Sequence, residues 1–272
     1  IIDKIVDVTY RIALELKVIG MINIQFIEFR DELYIIEVNP RSSRTVPYIT
    51  KVTNVPVIDI ATNIMLGKSL KEMGYSTGIA PQTNTVAIKV PVFSTEKLPQ
   101  VEVSLGPEMR STGEVLGVGQ NFHEAMYKGF TAAGTTIPKA GSTILVTVRE
   151  MDKENFLPIA KKFHELGCKF IATAGTAKLL EDNDIPVQVA KKISEGVPNI
   201  LDVIRSGMID LIIDIPKKGN DIHSDGFKIR RTAIECDVSI MTSLDTVKAL
   251  VDVMEHRYTP DTVEVISLSD IK

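Results

Sequence analysis

The N-terminal part of the chain shows first a helical and then a strand-like pattern of hydrophobic residues. Apolar side chains recur at helical spacing from the first residue to Leu16, which predicts an amphipathic helix that Gly20 ends. Residues 21–29 and 33–38 alternate on either side of a short polar turn, which predicts an antiparallel hairpin. Because the first helix starts at once with no capping residue, we interpret the chain as a piece of a longer protein.

The next part of the chain is more broken. An apolar stripe predicts a helix over residues 57–66, which Gly67 ends. Residues 68–138 contain many glycines and prolines, with a strand predicted at 86–93 and a helix at 121–129. We interpret this region as the remainder of a first domain and a connector.

From Lys139 onward, short β-rich runs alternate with helical stretches, and this alternation predicts a parallel sheet wrapped by helices. The chain therefore belongs to the α/β class, with a first domain over residues 1–138 and a doubly wound second domain over 139–272. The predicted strands are 144–148, 169–173, 187–190, 211–215, 238–241 and 263–268, and the predicted helices are 152–166, 176–181, 199–206, 226–233 and 244–256.

Composition narrows the functional classes. A length of 272 residues suits about two domains, and a net charge of −4 with a pI near 5.7 argues against nucleic acid or an anionic membrane as a partner. No apolar run reaches the roughly 18 residues that span a bilayer. Cys168 and Cys236 are the only cysteines, too few for a disulfide framework, so we expect a reducing cytoplasm.

A first candidate site lies at the predicted hairpin. Glu37 and Asn39 are two residues apart on one strand and leave the same face, which Gln25 on the partner strand can join. Such oxygen donors suit Mg²⁺, and guanidinium groups at Arg41 and Arg44 can neutralise charge in phosphoryl transfer. The alternative is a strand-end glutamate beside solvated arginines.

A second candidate site lies where the predicted parallel strands end. Lys153 begins one helix, Thr173 ends a strand, Gly175 and Thr176 begin the next helix, and Lys192 follows a third strand. Carboxyl ends of parallel strands meet at one edge, where hydroxyls, helix N-termini and lysines form an anion site. The alternative is an ordinary turn with a surface lysine.

Long stretches of the sequence resemble the carbamoyl-phosphate synthase large subunit family. Residues 20–26 (GMINIQF) and 36–47 (IEVNPRSSRTVP) are similar to its ATP-grasp core, and the similarity continues through 51–70 and 105–114. The resemblance implies a partial ATP-grasp domain from the second of two halves, the one that phosphorylates carbamate with ATP. The whole enzyme makes carbamoyl phosphate from glutamine or ammonia, bicarbonate and two ATP, for pyrimidine and arginine biosynthesis.

The resemblance also assigns roles. It places Mg²⁺ or Mn²⁺ at ATP on Gln25, Glu37 and Asn39, and the phosphorylated intermediate at Arg41 and Arg44. It implies a glutamine amidotransferase small subunit as a partner. The glycine-rich lid and the adenine pocket of the fold are not in these residues, so we expect this chain alone to be inactive.

The last part of the chain resembles the methylglyoxal-synthase-like regulatory domain of the same family, on residues 192–202 and on Arg230-Arg231. The resemblance places the phosphate of a nucleotide-type effector on four residues and names UMP, IMP or phosphoribosyl pyrophosphate as candidates. These residues are Lys153, Thr173, Thr176 and Lys192. Asp214 and Pro216 depart from the family, whose bacterial members have Ile-Asn-Thr-Thr there. We still predict Asp214 as an effector-site residue, and beside a phosphate its carboxylate needs a ribose hydroxyl or a cation to face.

Two other functions stay open at this point. A free-standing lyase similar to methylglyoxal synthase would share the fold, but residues 193–196 (ISEG) lack the glycine pair and the aspartate base that such a lyase uses. A purely structural oligomerisation module is the other alternative. We also expect a homo-oligomer.

Overall fold

The computed structural model describes residues 1–94, 109–216, 224–265 and 267. Within these, the chain separates into two compact units, the first containing Ile1–Thr85 and the second Val86–Glu264. The sequence pattern placed the domain boundary at 138/139, whereas the compact units divide at 85/86. The described residues between 86 and 138 belong to the second unit, and the boundary at 138/139 stays a prediction.

The first unit contains the predicted hairpin and both predicted helices. A two-residue turn joins the hairpin strands, with Arg30 and Asp31 at positive φ (53° and 62°), the geometry that matches the twist of two paired strands. A helix at 45–53 was not predicted; Pro47 in its first turn needs no N–H partner and is therefore tolerated there. The elements are α1 (Ile2–Glu15), β1 (Asn23–Phe29), β2 (Glu32–Asn39), α2 (Thr45–Thr53) and α3 (Val57–Met65).

Few side chains of the first unit are buried. Among its described residues only Val46 and Ala61 fall in the buried class, while β2 exposes the consecutive apolar side chains Tyr34, Ile35 and Ile36. Most of the hydrophobic burial that stabilises a fold is therefore found in the second unit.

The second unit begins with an antiparallel pair and continues as a five-stranded parallel sheet, whose strands lie side by side in the order 187–190, 169–173, 143–148, 211–215 and 239–241. The predicted parallel sheet and the helices between its strands are confirmed. The elements are β3 (Val86–Val92), β4 (Gly113–Gly119), α4 (Phe122–Ala132), β5 (Thr143–Val148), α5 (Lys153–Glu165), β6 (Lys169–Thr173), α6 (Ala174–Glu181), β7 (Val187–Ala190), α7 (Ile200–Arg205), β8 (Leu211–Ile215), α8 (Asp225–Glu235), β9 (Ser239–Met241) and α9 (Leu244–Glu255).

Side-chain alternation along the central strands creates two hydrophobic cores. Ile144, Val146 and Val148 of β5 belong to one core with α5 and α9, whereas Leu145 belongs to the other core with α7 and α8. The sheet therefore buries both faces, as parallel sheets do. The strand predicted at 263–268 is wrong for the described residues there, which form no strand, and residues 266 and 268 lie outside the described part.

The antiparallel pair is covered by α4, and a glycine of β4 makes this approach possible. A Cβ at Gly117 would lie 2.1 Å from Ala125 O and 2.6 Å from Gly129 N, both backbone atoms of α4. No strand was predicted at 113–119 because its glycines at 113, 117 and 119 are typical of turns. Here Gly117 marks a close approach between a strand and a helix.

Gly117→Ala is therefore expected to destabilise the second unit by about 2 kcal/mol or more, because backbone atoms of α4 have to move. Gly113→Ala in the same strand is the matched control. A Cβ there meets nothing within 4 Å, and a change within about 1 kcal/mol is expected. Urea denaturation followed by circular dichroism measures both variants. Equal stability of the two would contradict the packing argument.

Candidate functional site

The polar cluster of the first unit lies at the open end of the hairpin. Gln25 and Glu37 are direct partners across the strands, Asn39 is two residues further along β2, and the three side chains therefore share one face. The register shifts between Gln25 and Phe26. A bulge of this kind re-aims side chains next to a site.

Hydrogen bonds join this cluster to the following loop. Asn39 Nδ2 donates to Glu37 Oε1 at 2.9 Å, and an Nη of Arg41 donates to Asn39 Oδ1 at 3.2 Å. The second Nη of Arg41 donates to the carbonyl oxygen of Ser42 at 2.9 Å. Arg44 is exposed at the N-cap position of α2. The structure thus connects Glu37, Asn39 and Arg41 directly.

The donor chemistry of this cluster fits a hard divalent cation. Gln25 and Glu37 are exposed, Asn39 is half-buried, and each carries a side-chain oxygen of the kind Mg²⁺ prefers. The described residues contain no group of three or more His, Cys, Asp or Glu suited to a metal. A metal at this hairpin would therefore depend on the two amide oxygens as well as on the one carboxylate.

The second predicted site forms a cleft of about 740 Å³ in the second unit. It lies at the carboxyl ends of β5 and β8, two adjacent strands whose chain connections lead away in opposite directions along the sheet. Such a switch point is the usual ligand position in open α/β sheets. All six predicted effector residues line it, namely Lys153, Thr173, Gly175, Thr176, Lys192 and Asp214.

Lys153 is held in place at the start of α5. Its side chain is only 15% exposed, and Nζ donates to Glu150 Oε2 at 2.6 Å. A Cβ at Gly175 would lie 3.7 Å from Lys153 Nζ, so the glycine leaves the ammonium group close to the α6 backbone. This arrangement brings a positive charge next to a helix N-terminus, which also attracts anions.

Two threonines contribute hydroxyl groups. Thr173 ends β6 and is the N-cap residue of α6, with no side-chain capping bond. Thr176 is buried, and its Oγ1 accepts from the backbone N–H of Val148 at 3.3 Å. Since a hydroxyl both donates and accepts, Thr176 connects β5 to α6 and can still donate its proton to a ligand in the cleft.

Lys192 follows β7 and is exposed at the side of the cleft. Its backbone N–H donates to Glu195 Oε2 at 2.8 Å, which fixes the backbone of the loop. Among the described residues, no carboxylate lies within ion-pair distance of Lys192 Nζ. It can therefore contact an anion without first breaking an ion pair.

Asp214 faces a cation. Its Oδ2 accepts from an Nη of Arg230 in α8 at 2.5 Å, and the two side chains are only 5% and 3% exposed. Gly226 leaves room beside them, since a Cβ there would lie 2.9 Å from Arg230 Nη1. Of the two favourable surroundings named for this carboxylate, a ribose hydroxyl or a cation, the structure shows the cation.

Several cleft residues were not predicted as site residues. They are Thr147, Arg149, Glu150, Ser224, Asp225, Gly226 and Arg230. The spacing of Glu150 and Lys153, three apart at a helix start, is a sequence feature that could have indicated their ion pair. The pairing of Asp214 with Arg230, 16 residues apart across a loop, leaves no comparable pattern.

Two family matches agree with the two units. Residues 2–73 match the family described as carbamoyl-phosphate synthase L chain, ATP binding domain. Residues 155–242 match the family described as MGS-like domain, and they include the cleft residues from α6, β8 and α8. No helix among the described residues is long and apolar enough to span a membrane.

Nearly the whole chain is similar to part of larger proteins named carbamoyl phosphate synthase large chain. It is 53% identical over 268 residues to that of Clostridium botulinum (strain Kyoto / Type A2), covering 98% of this chain and 25% of the relative. It is 54% identical over 266 residues to that of Clostridium perfringens (strain 13 / Type A), with the same coverage. The chain thus corresponds to the C-terminal part of these large chains and spans about a quarter of their length.

The ion pairs Asp214–Arg230 and Glu150–Lys153 are expected to differ in what they contribute to stability. Asp214→Asn removes a buried, charge-assisted hydrogen bond to Arg230 and should lower the free energy of unfolding by about 1.5–3 kcal/mol. Glu150→Gln breaks a pair whose carboxylate is 88% exposed and should change it by less than about 1 kcal/mol. Chemical denaturation measures both, and equal effects would show that burial does not separate the pairs.

Proposed function

We propose that this chain works as part of a carbamoyl phosphate synthase large subunit, in which the first unit serves ATP-dependent phosphorylation of carbamate and the second unit binds a phosphorylated effector. One observation carries the regulatory half. The six residues predicted to form an effector site line a single cleft at the carboxyl edge of the sheet. The similarity over 98% of the chain supports the same assignment.

In the first unit, Gln25, Glu37 and Asn39 would hold Mg²⁺ or Mn²⁺ at the phosphates of ATP. A bound divalent cation neutralises phosphate charge during phosphoryl transfer. Arg41 is oriented by Asn39 and by the carbonyl oxygen of Ser42, and its guanidinium would stabilise the phosphorylated intermediate together with Arg44. The hairpin thus supplies ligands to a reaction whose remaining parts would come from the rest of the subunit.

In the second unit, the cleft would bind an anion in a chain that is acidic as a whole. Lys153 and Lys192 supply charge, Thr173 and Thr176 supply hydroxyl groups, and the start of α6 contributes its dipole. A volume of about 740 Å³ leaves room for a nucleoside or ribose group beside the phosphate. UMP, IMP and phosphoribosyl pyrophosphate are the proposed ligands.

The proposed assembly is a homo-oligomer that includes a glutamine amidotransferase small subunit. That subunit would bind to the rest of the large subunit. We propose a reducing cytoplasm as the location, because both cysteines are free thiols. Burial raises the pKa of Cys168 to about 11, so its thiol stays protonated.

Effector binding should depend on both lysines of the cleft. Lys153→Ala and Lys192→Ala are each expected to weaken binding by about 1–3 kcal/mol, because each removes a charge-assisted hydrogen bond to the phosphate. Isothermal titration calorimetry with UMP, IMP and phosphoribosyl pyrophosphate measures this on the 272-residue chain.

Lys178→Ala is the matched control, since Lys178 is exposed on α6 and does not line the cleft. Its affinity should equal that of the parent chain. If none of the three compounds binds the parent at millimolar concentration, the regulatory function is wrong. If Lys153→Ala and Lys192→Ala bind as tightly as Lys178→Ala, the ligand binds at another site.

Catalysis should depend on Glu37. In the complete enzyme, Glu37→Gln is expected to slow carbamoyl phosphate formation by orders of magnitude, because it removes the only charged member of the metal-binding set. Glu32→Gln, at the other end of the same strand, is the control and should leave the rate near normal. Carbamoyl phosphate synthesis from ammonia at saturating Mg²⁺ is the assay. A near-normal rate for Glu37→Gln would make Glu37 structural.

A further inference from the structure

The cations that line the cleft differ in how firmly a carboxylate holds them. Arg149, Lys153, Lys192 and Arg230 all face the cleft, which is also lined by Glu150, Asp214 and Asp225. A ligand phosphate needs cations whose charge it can use. The question is therefore which of the existing ion pairs an incoming anion can replace.

Arg230 does not suit such an exchange. Asp214 and Arg230 are both almost fully buried, and breaking a hydrogen-bonded ion pair in the protein interior is costly. Arg149 is paired with Asp152, and that pair is half-buried. These two guanidinium groups are therefore part of the framework of the cleft.

The pair of Lys153 with Glu150 has one fixed partner and one exposed partner. Lys153 is 15% exposed and sits beside the α6 backbone, so its ammonium group keeps its place. The side chain of Glu150 is 88% exposed, and its Oε2 lies 2.6 Å from Lys153 Nζ. Because the Glu150 carboxylate is exposed to water, it stays hydrated when it separates from Lys153 and can leave at low cost.

We propose that Glu150 is a built-in competitor for Lys153, so that a phosphorylated ligand binds in the cleft by displacing the Glu150 carboxylate from the ammonium group. This inference rests on the proposed effector function and adds that Glu150 regulates how tightly the effector binds. The Glu150 carboxylate occupies one contact that the ligand phosphate needs, and the ligand affinity is the difference between the two interactions.

Competition of this kind also selects the ligand. A phosphate monoester carries about −1.5 to −2 charges at pH 7 and offers three oxygens, whereas the Glu150 carboxylate carries one charge and is tethered. Singly charged anions such as acetate gain little by replacing it. A dianionic phosphate gains more, because it reaches Lys192 and the threonine hydroxyls at the same time. Glu150 thereby favours phosphorylated ligands over other cellular anions.

The test compares two glutamates of equal charge, Glu150, which contacts Lys153, and Glu154, which forms no ion pair with it. The ligands are inorganic phosphate and whichever of UMP, IMP or phosphoribosyl pyrophosphate binds the parent most tightly. Glu150→Gln should bind each of them about three- to fivefold more strongly than the parent does. Glu154→Gln removes the same charge one position after Lys153, and no ion pair joins Glu154 to Lys153. Its affinity should stay within about 1.5-fold of the parent. Calorimetry on the 272-residue chain measures each variant.

The outcomes separate the two claims. Tighter binding by Glu150→Gln alone supports the competitor. If the parent binds and Glu150→Gln binds equally or more weakly, the competitor is wrong while effector binding stands. If both glutamine variants tighten binding equally, the effect is a general charge effect and the competitor is again wrong. If neither the parent nor Glu150→Gln binds any of these compounds, the effector function itself fails.

Discussion

All strands of a parallel sheet end at the same edge, and the cleft of this protein depends on that constraint. β5 and β8 are neighbours, with Thr147 opposite Asp214, and β6 lies on the other side of β5. Residues distant in sequence therefore meet wherever these strands stop. Because the chain leaves β5 and β8 in opposite directions along the sheet, the edge between them stays open. The two hydrophobic cores hold this edge rigid from both faces.

The electrostatics of the cleft follow from burial more than from the number of charges. The chain is acidic overall, and acidic side chains also line the cleft. A buried carboxylate such as Asp214 fixes one arginine permanently, whereas an exposed one such as Glu150 holds its lysine loosely. Similar short contacts therefore have opposite consequences, one for the framework and one for ligand exchange.

Sequence reasoning succeeded where local patterns determine structure. The parallel strands were predicted because buried strands are short apolar runs, and the shared face of Glu37 and Asn39 was predicted because the two residues alternate with Val38. It failed where tertiary contacts decide. The glycines of β4 are typical of turns until α4 lies against Gly117, and the partner of Asp214 comes from a helix beyond a loop. Neither contact leaves a periodic pattern in the sequence.

The two candidate sites also differ in what keeps them in shape. At the hairpin, the donors are set by cross-strand register and by hydrogen bonds between residues two apart, so a unit with few buried side chains can still form them. In the cleft, the predicted residues come from the ends of several elements, and their positions depend on the packed sheet. Destabilising the second unit should therefore weaken ligand binding in the cleft. An equal loss of packing in the first unit should leave the local geometry of the hairpin unchanged. Positions such as Gly117, distant in sequence from the cleft, affect it only through the stability of the unit that both belong to.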